Sequence, residues 1–170
     1  MKKALLSLFL TYAVFINTLA QTDTTTLTRT GDKAPGFTCK TLDGKTIDIS
    51  RLQGKIVMIN FFATWCGPCN LELPVLQKNI WDKYKDNPNF VLIILGREHS
   101  EKEVRDFVSS KKFTMPFAPD QDRKIFSLYA TQSIPRNIII GKDGKIIFQS
   151  IGYNPEEFKQ IEDLLAGKLN

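Results

Sequence analysis

The distribution of apolar and polar residues first outlines two buried strands. Residues Ile56 to Phe62 are apolar apart from Asn60, and Phe90 to Leu95 are apolar throughout. Short apolar runs bounded by turn residues are typical of strands that are covered on both faces, as in mainly parallel sheets. The two segments therefore predict strands at the centre of a sheet.

Helical periodicity appears between and after these strands. The first helical segment has apolar residues at helical spacing, at Leu73, Leu76, Ile80 and Tyr84. This spacing predicts a helix over about residues 67–85, in which Pro74 should introduce a kink. Ser100 as the N-cap and Glu103 at the capping-box position predict the start of a second helix. Pro155 suits the first turn of an amphipathic closing helix.

Two Asp-Gly pairs predict hairpins near the two ends of the domain. Asp43-Gly44 and Asp143-Gly144 are typical of tight turns between antiparallel strands. The extended segments that flank these turns are 37–40, 46–49, 137–140 and 145–150. A short helix is expected near 122–130. The order of elements predicts an α/β fold, a central mixed β-sheet with helices on both faces and the first hairpin as an N-terminal extension.

Composition and the N-terminal pattern divide the chain into three parts. The 170 residues are 42% hydrophobic and 24% charged, which suits one globular domain and a targeting segment. Two lysines and an apolar run ending at Ala20 predict a signal peptide over residues 1–20, with an uncleaved membrane anchor as the alternative. The threonine-rich residues 21–31 are expected to form a flexible linker. Residues 32–170 then form the domain.

The charge distribution argues against a nucleic-acid partner. The net charge is +5, and removal of residues 1–20, which contain two lysines and no acid, reduces it to +3. After that segment no basic run is longer than two residues, as at Lys111-Lys112. Nucleic-acid-binding surfaces need clustered positive charge, so no such partner is expected.

Cysteine chemistry is concentrated where the first buried strand meets the first helix. There, Cys66 and Cys69 are separated by Gly67 and Pro68 and preceded by Trp65. Unpaired N–H groups and the positive end of the helix dipole favour the thiolate of the first cysteine. Cys66 is therefore the expected attacking residue, and Cys69, which lies deeper in the helix, is the expected resolving residue.

Two other uses of the cysteine pair stay open at this point. A zinc site would need a second pair of ligands, and the candidates, Cys39 and His99, are isolated in the sequence. A purely structural disulfide would leave Trp65 and the Gly67-Pro68 insert without a role. We expect no metal and no cofactor other than the redox-active Cys66–Cys69 disulfide.

The motif and its surroundings resemble the thioredoxin-like family. Residues Asn60 to Cys69 are similar to the active-site strand and helix start of thioredoxin, Pro74 to its helix-kinking proline, and Ile134-Pro135 to its cis-proline. Three further segments resemble the exported TlpA/ResA-type branch, namely Ala34 to Phe37, Leu42 to Lys45 and Leu52 to Lys55. The resemblance covers residues 33–168.

This resemblance implies a thioredoxin-like fold and thiol–disulfide exchange outside the cytoplasm, a chemistry that in this branch includes cytochrome c maturation. It also implies a set of substrate-binding residues around the attacking sulfur: Trp65 as an aromatic lip, Gly67 and Pro68 between the cysteines, and Ile134 with a cis Pro135. A cis-proline would leave the Ile134 backbone free to pair with an extended substrate.

The chain departs from the related patterns close to the cysteines. Asn60 stands where thioredoxins carry a buried aspartate, and Gly67 stands where some ResA-type proteins carry a glutamate. Glu72, three residues after Cys69, is the nearest acid and is the candidate proton acceptor. The helix dipole alone also favours an acid in the first turns of a helix.

The resulting hypothesis is a monomeric, periplasmic or otherwise extracytoplasmic protein-disulfide reductase that acts through a mixed disulfide. Its expected partners are disulfide-containing proteins and a membrane electron donor, because exported proteins meet an oxidising environment. A disulfide oxidase or isomerase is the alternative, and a non-enzymatic copper carrier is a further one. A peroxiredoxin-type peroxidase is disfavoured because Ala63 occupies the position of the required threonine or serine.

Four features carry weaker predictions. Cys39 is expected as a buried apolar filler on the first hairpin. His99 is expected as a surface residue, and Arg136 as a candidate substrate contact. The segment 114–123 has no assignment.

Overall fold

The centre of the fold is a five-stranded mixed sheet. A computed structural model describes residues 23–169. Its strands are β1 (Thr38–Lys40), β2 (Thr46–Asp48), β3 (Ile56–Phe62), β4 (Phe90–Arg97), β5 (Phe117–Asp120), β6 (Arg136–Ile140) and β7 (Ile146–Ile151). The sheet order is β5-β4-β3-β6-β7, and β1 pairs only with β2 in a separate hairpin. This arrangement confirms the mixed sheet and the N-terminal hairpin.

Strand directions divide the sheet into two halves. β3 is parallel to β4 and β4 is parallel to β5, whereas β6 is antiparallel to both β3 and β7. The expectation of a mainly parallel sheet therefore holds for one half only. The β6–β7 hairpin makes the other half antiparallel, because its two strands are joined by the short Asp143-Gly144 turn.

The helices follow the predicted order. They are α1 (Gly67–Leu76), α2 (Asp82–Tyr84), α3 (Glu101–Lys111), α4 (Phe126–Tyr129) and α5 (Pro155–Leu169), with a 3₁₀ turn at Ile49–Arg51. A π-helical turn, Gln77–Trp81, joins α1 to α2, so the predicted helix continues to Tyr84 without being α-helical throughout. The capping box at the start of α3 is present, with Ser100 and Glu103 in the predicted roles.

Alternate residues of β3 pack into two different cores. Ile56, Met58 and Phe62 belong to a cluster that includes apolar residues of α1, α3 and α5. Val57, Ile59 and Phe61 belong to a second cluster with α4 and the segment that precedes β3. Successive strand side chains point to opposite faces, so one buried strand serves both layers. The cysteine pair lies on the first of these faces.

The N-terminal arm, residues 23–31, differs from the flexible linker expected for residues 21–31. Its backbone donates from Leu27 to the Tyr129 carbonyl at 2.8 Å, and from Gly31 to the Ile146 carbonyl at 2.8 Å. Thr28 is buried, and its hydroxyl donates to Gln149 at 2.7 Å. Threonine favours extended backbone, so this stretch pairs with its neighbours instead of remaining a tether.

The proposed signal peptide, residues 1–20, lies outside the described residues, as do residues 21, 22 and 170. Within residues 23–169, no helix is long and apolar enough to cross a membrane.

Candidate active site

The two cysteines sit at the mouth of α1 and form a disulfide. Cys66 is the N-cap of the helix, and its sulfur accepts a hydrogen bond from the Cys69 N–H at 3.2 Å. Cys66 is 5% exposed and Cys69 is fully buried. Because Cys66 lies at the positive end of the helix dipole and receives a backbone N–H, its thiolate is stabilised after reduction. The difference in exposure supports the expected roles of attacking and resolving cysteine.

The docking loop, residues 132–135, faces the attacking sulfur. The Ile134–Pro135 peptide bond is cis, as the resemblance implies. The Ile134 carbonyl oxygen lies 3.8 Å from the sulfur of Cys66. Ser133 adopts a left-handed backbone with φ of 71°. The loop therefore presents its backbone next to the disulfide, where an extended substrate chain would have to pass.

Exposed side chains form a rim around the disulfide. Trp65 is 66% exposed, and the guanidinium of Arg97 lies 5.7 Å from its ring centroid. Gly67 and Pro68, which lie between the two cysteines, are also exposed. Leu71, on the first turns of α1, is as exposed as Trp65 and was not singled out from the sequence. Exposed apolar side chains of this kind are typical of contact surfaces.

The peptide groups of Thr64 are held on both sides just before the cysteines. The Thr64 N–H donates to Nε2 of His99 at 2.9 Å. The Asn70 side chain donates to the carbonyls of Thr64 and Cys66, each at 2.9 Å. The loop that carries the attacking cysteine is thus fixed by two polar side chains, a role that the sequence predicts for neither of them.

The expectation that His99 is a surface residue is wrong. His99 is buried, and its ring packs against Phe62 at a centroid distance of 6.3 Å. Because Nε2 accepts a hydrogen bond, the neutral ring carries its proton on Nδ1, which lies 3.9 Å from a Glu103 carboxylate oxygen. Cys39 packs in the core on the opposite face of the sheet from Phe62. Within residues 23–169, no three His, Cys, Asp or Glu side chains are grouped as a metal site.

Replacing His99 with leucine should destabilise the protein through the Thr64 peptide. The partly buried N–H would lose its acceptor, which typically costs about 1–3 kcal/mol in the free energy of unfolding. Glutamine at the same position retains an acceptor, so H99Q should recover part of this loss. Urea unfolding of both variants measures the difference. Equal stability of H99L and H99Q would show that the Thr64 hydrogen bond contributes nothing measurable.

Glu72 is buried beneath the cysteines in a polar cluster. It is 1% exposed, and its carboxylate accepts hydrogen bonds from the side chains of Asn60, at 2.9 Å, and Asn137. Asn60 also donates to Asn137 at 2.8 Å. Burial raises the pKa of Glu72 to about 7, against the lowering effect of the hydrogen bonds from Asn137 and Asn60, and the nearby Glu157 charge raises it further.

This environment makes Glu72 able to exchange a proton near neutral pH. Cys69 and Glu72 are three residues apart on α1, so their side chains lie on the same face of the helix. A carboxyl group with a pKa near the working pH is well suited to proton transfer. Asn60, at the position where thioredoxins carry an aspartate, is a hydrogen-bond donor to this acid. Glu72 is among the site residues that the sequence predicts, whereas its partner Asn137 is not.

The structure corrects the prediction for Arg136 and gives a role to Asp120, which lies in the unassigned segment 114–123. Arg136 is fully buried, so it does not contact substrate from the surface as expected. Asp120, within the unassigned segment 114–123, ends β5 and accepts hydrogen bonds from the N–H groups of Ile125 and Phe126. It therefore stabilises the backbone just before α4, which is a structural role.

Cys39 agrees with its prediction as an apolar filler. It is free and buried, and burial raises its pKa to about 11.

A disulfide at a helix N-terminus, opposed by a cis-proline loop on a mixed sheet, defines a thiol–disulfide oxidoreductase of thioredoxin-like fold. Comparison with known proteins agrees with this class. The chain belongs to the Redoxin family, whose sequence model matches residues 29–165.

Similarity to individual proteins shows which members of the family this chain resembles. The chain is 36% identical to the thiol-disulfide oxidoreductase ResA of Bacillus thuringiensis (strain Al Hakam) over 135 residues, which are 79% of this chain and 76% of that protein. A solution structure from Bacteroides thetaiotaomicron, whose name proposes a protein disulfide isomerase, is 39% identical and superposes with a TM-score of 0.82 over 85% of this chain and 92% of that one. StoA from Bacillus subtilis is 26% identical with a TM-score of 0.65 over 76% and 96% of the two chains. The chain is thus a thiol–disulfide oxidoreductase of ResA/StoA type.

Proposed function

We propose that this protein reduces disulfide bonds of other proteins outside the cytoplasm. The observation that carries the proposal is the position of the Cys66 sulfur, at the start of α1 and 3.8 Å from the Ile134 carbonyl oxygen. This position combines a stabilised thiolate with a backbone segment that can hold the substrate. The exposed Trp65, Gly67 and Pro68 lie next to Cys66 in the chain and are accessible to a protein substrate.

The reduced protein would act in two exchange steps. The Cys66 thiolate attacks one sulfur of the substrate disulfide, a new mixed disulfide forms, and the other substrate sulfur leaves as a thiolate. The Cys69 thiolate then attacks the sulfur of Cys66, which forms the Cys66–Cys69 disulfide and releases the second substrate sulfur. The substrate disulfide gains two electrons and the dithiol loses them. A further thiol donor, for which we propose a membrane protein, must return the protein to the dithiol state.

Glu72 is the proposed proton acceptor for the second step. Cys69 is fully buried, so its thiol proton has no direct access to solvent. The Glu72 carboxylate lies on the same helical face, and with a pKa of about 7 it takes up and returns a proton at small energetic cost. The proposed path runs through a bridging water between the Cys69 thiol and the Glu72 carboxylate.

The docking loop supplies the proposed substrate contact. An extended segment next to the substrate cysteine would pair with the backbone at Ile134, while Pro135 leaves that backbone unobstructed. Trp65 would cover the segment on the other side of the sulfur. Such contacts depend on the backbone of the substrate more than on its amino-acid sequence. This suits a protein that reduces several proteins, cytochrome c precursors among them.

Export is proposed from the N-terminal sequence. A signal peptide over residues 1–20, or an uncleaved anchor there, would place the domain in the periplasm or outside the cell. We expect a monomer, since one chain contains the complete cysteine pair and docking loop.

A disulfide isomerase or oxidase is the second candidate. The Bacteroides thetaiotaomicron protein at 39% identity carries the isomerase activity in its name. The same cysteines and the same mixed disulfide would serve this reaction, and the distinction lies in which redox state is the more stable.

The reduction potential of the Cys66–Cys69 couple separates the candidates. It is measured on the chain from residue 21 onward, which keeps every described residue, by equilibration against defined thiol buffers. A value near the approximately −270 mV of thioredoxin, or lower, supports the reductase. A value near the approximately −120 mV of a strong oxidant overturns it in favour of disulfide formation or isomerisation. A variant lacking both cysteines is the control and should show no transition.

A further inference from the structure

The guanidinium of Arg136 connects the docking loop to the N-terminal arm. One of its terminal nitrogens, Nη2, donates to the Gln132 carbonyl at 2.9 Å, which joins the two ends of the loop. The same nitrogen donates to the Thr25 hydroxyl at 3.0 Å, and Nη1 donates to the Thr26 hydroxyl at 2.6 Å. Arg136 directly follows Pro135, so this side chain contacts the loop and the arm at the same place.

The arm completes the path from the buried cation to a carboxylate. The hydroxyls of Thr25 and Thr26 accept from Arg136 and donate their own protons to the two oxygens of Asp23. These hydroxyl hydrogen bonds lower the pKa of Asp23 to about 2, so the carboxylate is charged at neutral pH. Hydrogen bonds to ionised groups are the stronger ones, and each hydroxyl here bridges a cation and an anion.

The arm is also paired by its backbone to the residues that enter the loop. The Thr131 N–H donates to the Thr25 carbonyl at 2.8 Å, and the Leu27 N–H donates to the Tyr129 carbonyl at 2.8 Å. The loop is held at its other end as well, because the Gly152 N–H donates to the Pro135 carbonyl at 2.8 Å. The docking loop is therefore fixed between the arm and the turn that follows β7.

We propose that Arg136 is a positioning residue that sets the docking loop through the N-terminal arm, so that the arm controls how well an extended disulfide substrate binds. This inference rests on the proposed function, because the loop matters only if it holds a substrate chain. A fully buried guanidinium needs acceptors. The Nε of Arg136 has no acceptor among the described residues. The guanidinium therefore depends on the hydroxyls of Thr25 and Thr26 and on the backbone carbonyl of Gln132. Loss of the hydroxyls would shift the cation and the Gln132 carbonyl with it.

The displaced carbonyl lies two residues before Ile134, whose own carbonyl faces the sulfur of Cys66. A shift of the loop would therefore misplace the backbone that pairs with substrate, while the disulfide on α1 stays where it is. Substrate binding should weaken and the intrinsic exchange chemistry should not. A residue that merely stabilised the fold would affect both equally.

The test compares two disulfides on the chain from residue 21 onward. One is a peptide disulfide with extended flanking residues, which uses the docking loop, and the other is hydroxyethyl disulfide, which is too small to use it. The variants are R136M, which keeps the apolar volume, and the T25V/T26V pair, which removes only the hydroxyls. T24V is the matched control, because Thr24 is exposed in the same arm. Both disulfides are followed in steady state and thermal unfolding is recorded for each variant.

We expect R136M and T25V/T26V each to raise KM for the peptide about 3- to 10-fold, with kcat and the hydroxyethyl disulfide rate within about twofold of the original protein. The combination of all three substitutions should be no worse than R136M alone, because the two changes break one connection. T24V should change nothing. If R136M does not fold, T25V/T26V decides alone.

An equal loss for both disulfides, an unchanged KM, or additive effects would each overturn the inference. The comparison also distinguishes this inference from the proposed function. A protein that oxidises the reduced peptide instead of reducing its disulfide would contradict the reductase. The ratio between peptide and small-molecule rates would still report on the arm, because exchange in either direction passes through the same mixed disulfide.

Discussion

Replacement of Cys69 with serine should turn the protein into a trap for its substrates. Cys66 remains at the mouth of α1 and still attacks a disulfide, but the serine hydroxyl cannot attack the resulting mixed disulfide. Turnover should fall by at least about 10³-fold, which corresponds to roughly 4 kcal/mol in the activation barrier. Incubation with a peptide disulfide, followed by mass spectrometry without reductant, should show one peptide attached to Cys66.

The two other single-cysteine replacements are the controls for this result. C66S leaves Cys69 as the only active-site thiol, and because that residue is fully buried it should form almost no mixed disulfide. C39S removes a free thiol in the opposite core, where burial raises the pKa of Cys39 to about 11, so turnover should be unchanged. Equal trapping by C66S and C69S would contradict the assignment of Cys66 as the attacking residue.

The parts of the site that sequence predicts well are those built from local signals. β3 and the start of α1 are adjacent in the chain, so one apolar run followed by the cysteine motif fixes where Cys66 and Cys69 lie. The capping box of α3 and the two Asp-Gly turns are likewise signals within a few residues. Their geometry depends on hydrogen bonds between residues a few positions apart, so the residue types at those positions are enough to predict them.

The supporting residues depend on contacts between distant segments. Asn137 reaches Glu72 across 65 positions, and Arg136 reaches Thr25 across 111. A lone histidine or arginine in a loop region looks solvent-exposed, yet His99, which follows β4, is buried and accepts a hydrogen bond from the Thr64 N–H. No periodicity marks such residues. The sequence offers one indication of such supporting residues, which is a polar side chain just after a strand or a predicted cis-proline.

The missed strand β5 has a different cause. Pro119 lies within it and Pro116 precedes it, and proline normally argues against a strand. β5 is an edge strand with β4 as its partner in the sheet, so its outer backbone needs no ladder of hydrogen bonds. Tertiary position thus overrode the local preference.

Replacement of Glu72 with glutamine should slow the second exchange step and change its dependence on pH. In the unmodified protein, the rate of release from the mixed disulfide should rise with pH around the Glu72 pKa of about 7, because only the carboxylate accepts the Cys69 proton. E72Q should lower this rate on the order of 10²-fold and remove the inflection. Stopped-flow measurement of product release between pH 5 and pH 9, about two pH units either side of that pKa, tests this.

Two acids on α5 provide graded controls. The charge of Glu157 raises the pKa of Glu72, so E157Q should move the inflection to lower pH without lowering the plateau. Glu156, the exposed neighbour in the first turn of the same helix, should leave the profile unchanged as E156Q. A profile in E72Q identical to the original one would exclude Glu72 as the proton acceptor.

The same group should also link stability to pH in a direction opposite to most acids. Below its ordinary pKa of 4.5, Glu72 is protonated in both the folded and the unfolded chain. As pH rises from there to about 7, the unfolded chain releases a proton that the folded protein retains, so the free energy of unfolding falls. The total loss is roughly 3 kcal/mol and is complete above the folded pKa.

E72Q carries no such proton, so its stability relative to the original protein should increase by roughly 3 kcal/mol between pH 4 and pH 8. Urea unfolding of the oxidised proteins at the two pH values measures this difference, and the other acids cancel because both proteins contain them. A kinetic defect without the change in relative stability would mean that Glu72 titrates at its ordinary pKa of 4.5 in the folded protein, so that it is already ionised at neutral pH and acts only by supporting Asn60 and Asn137. Both effects together require a buried acid that changes its charge near neutral pH, which is the property a proton acceptor for Cys69 needs.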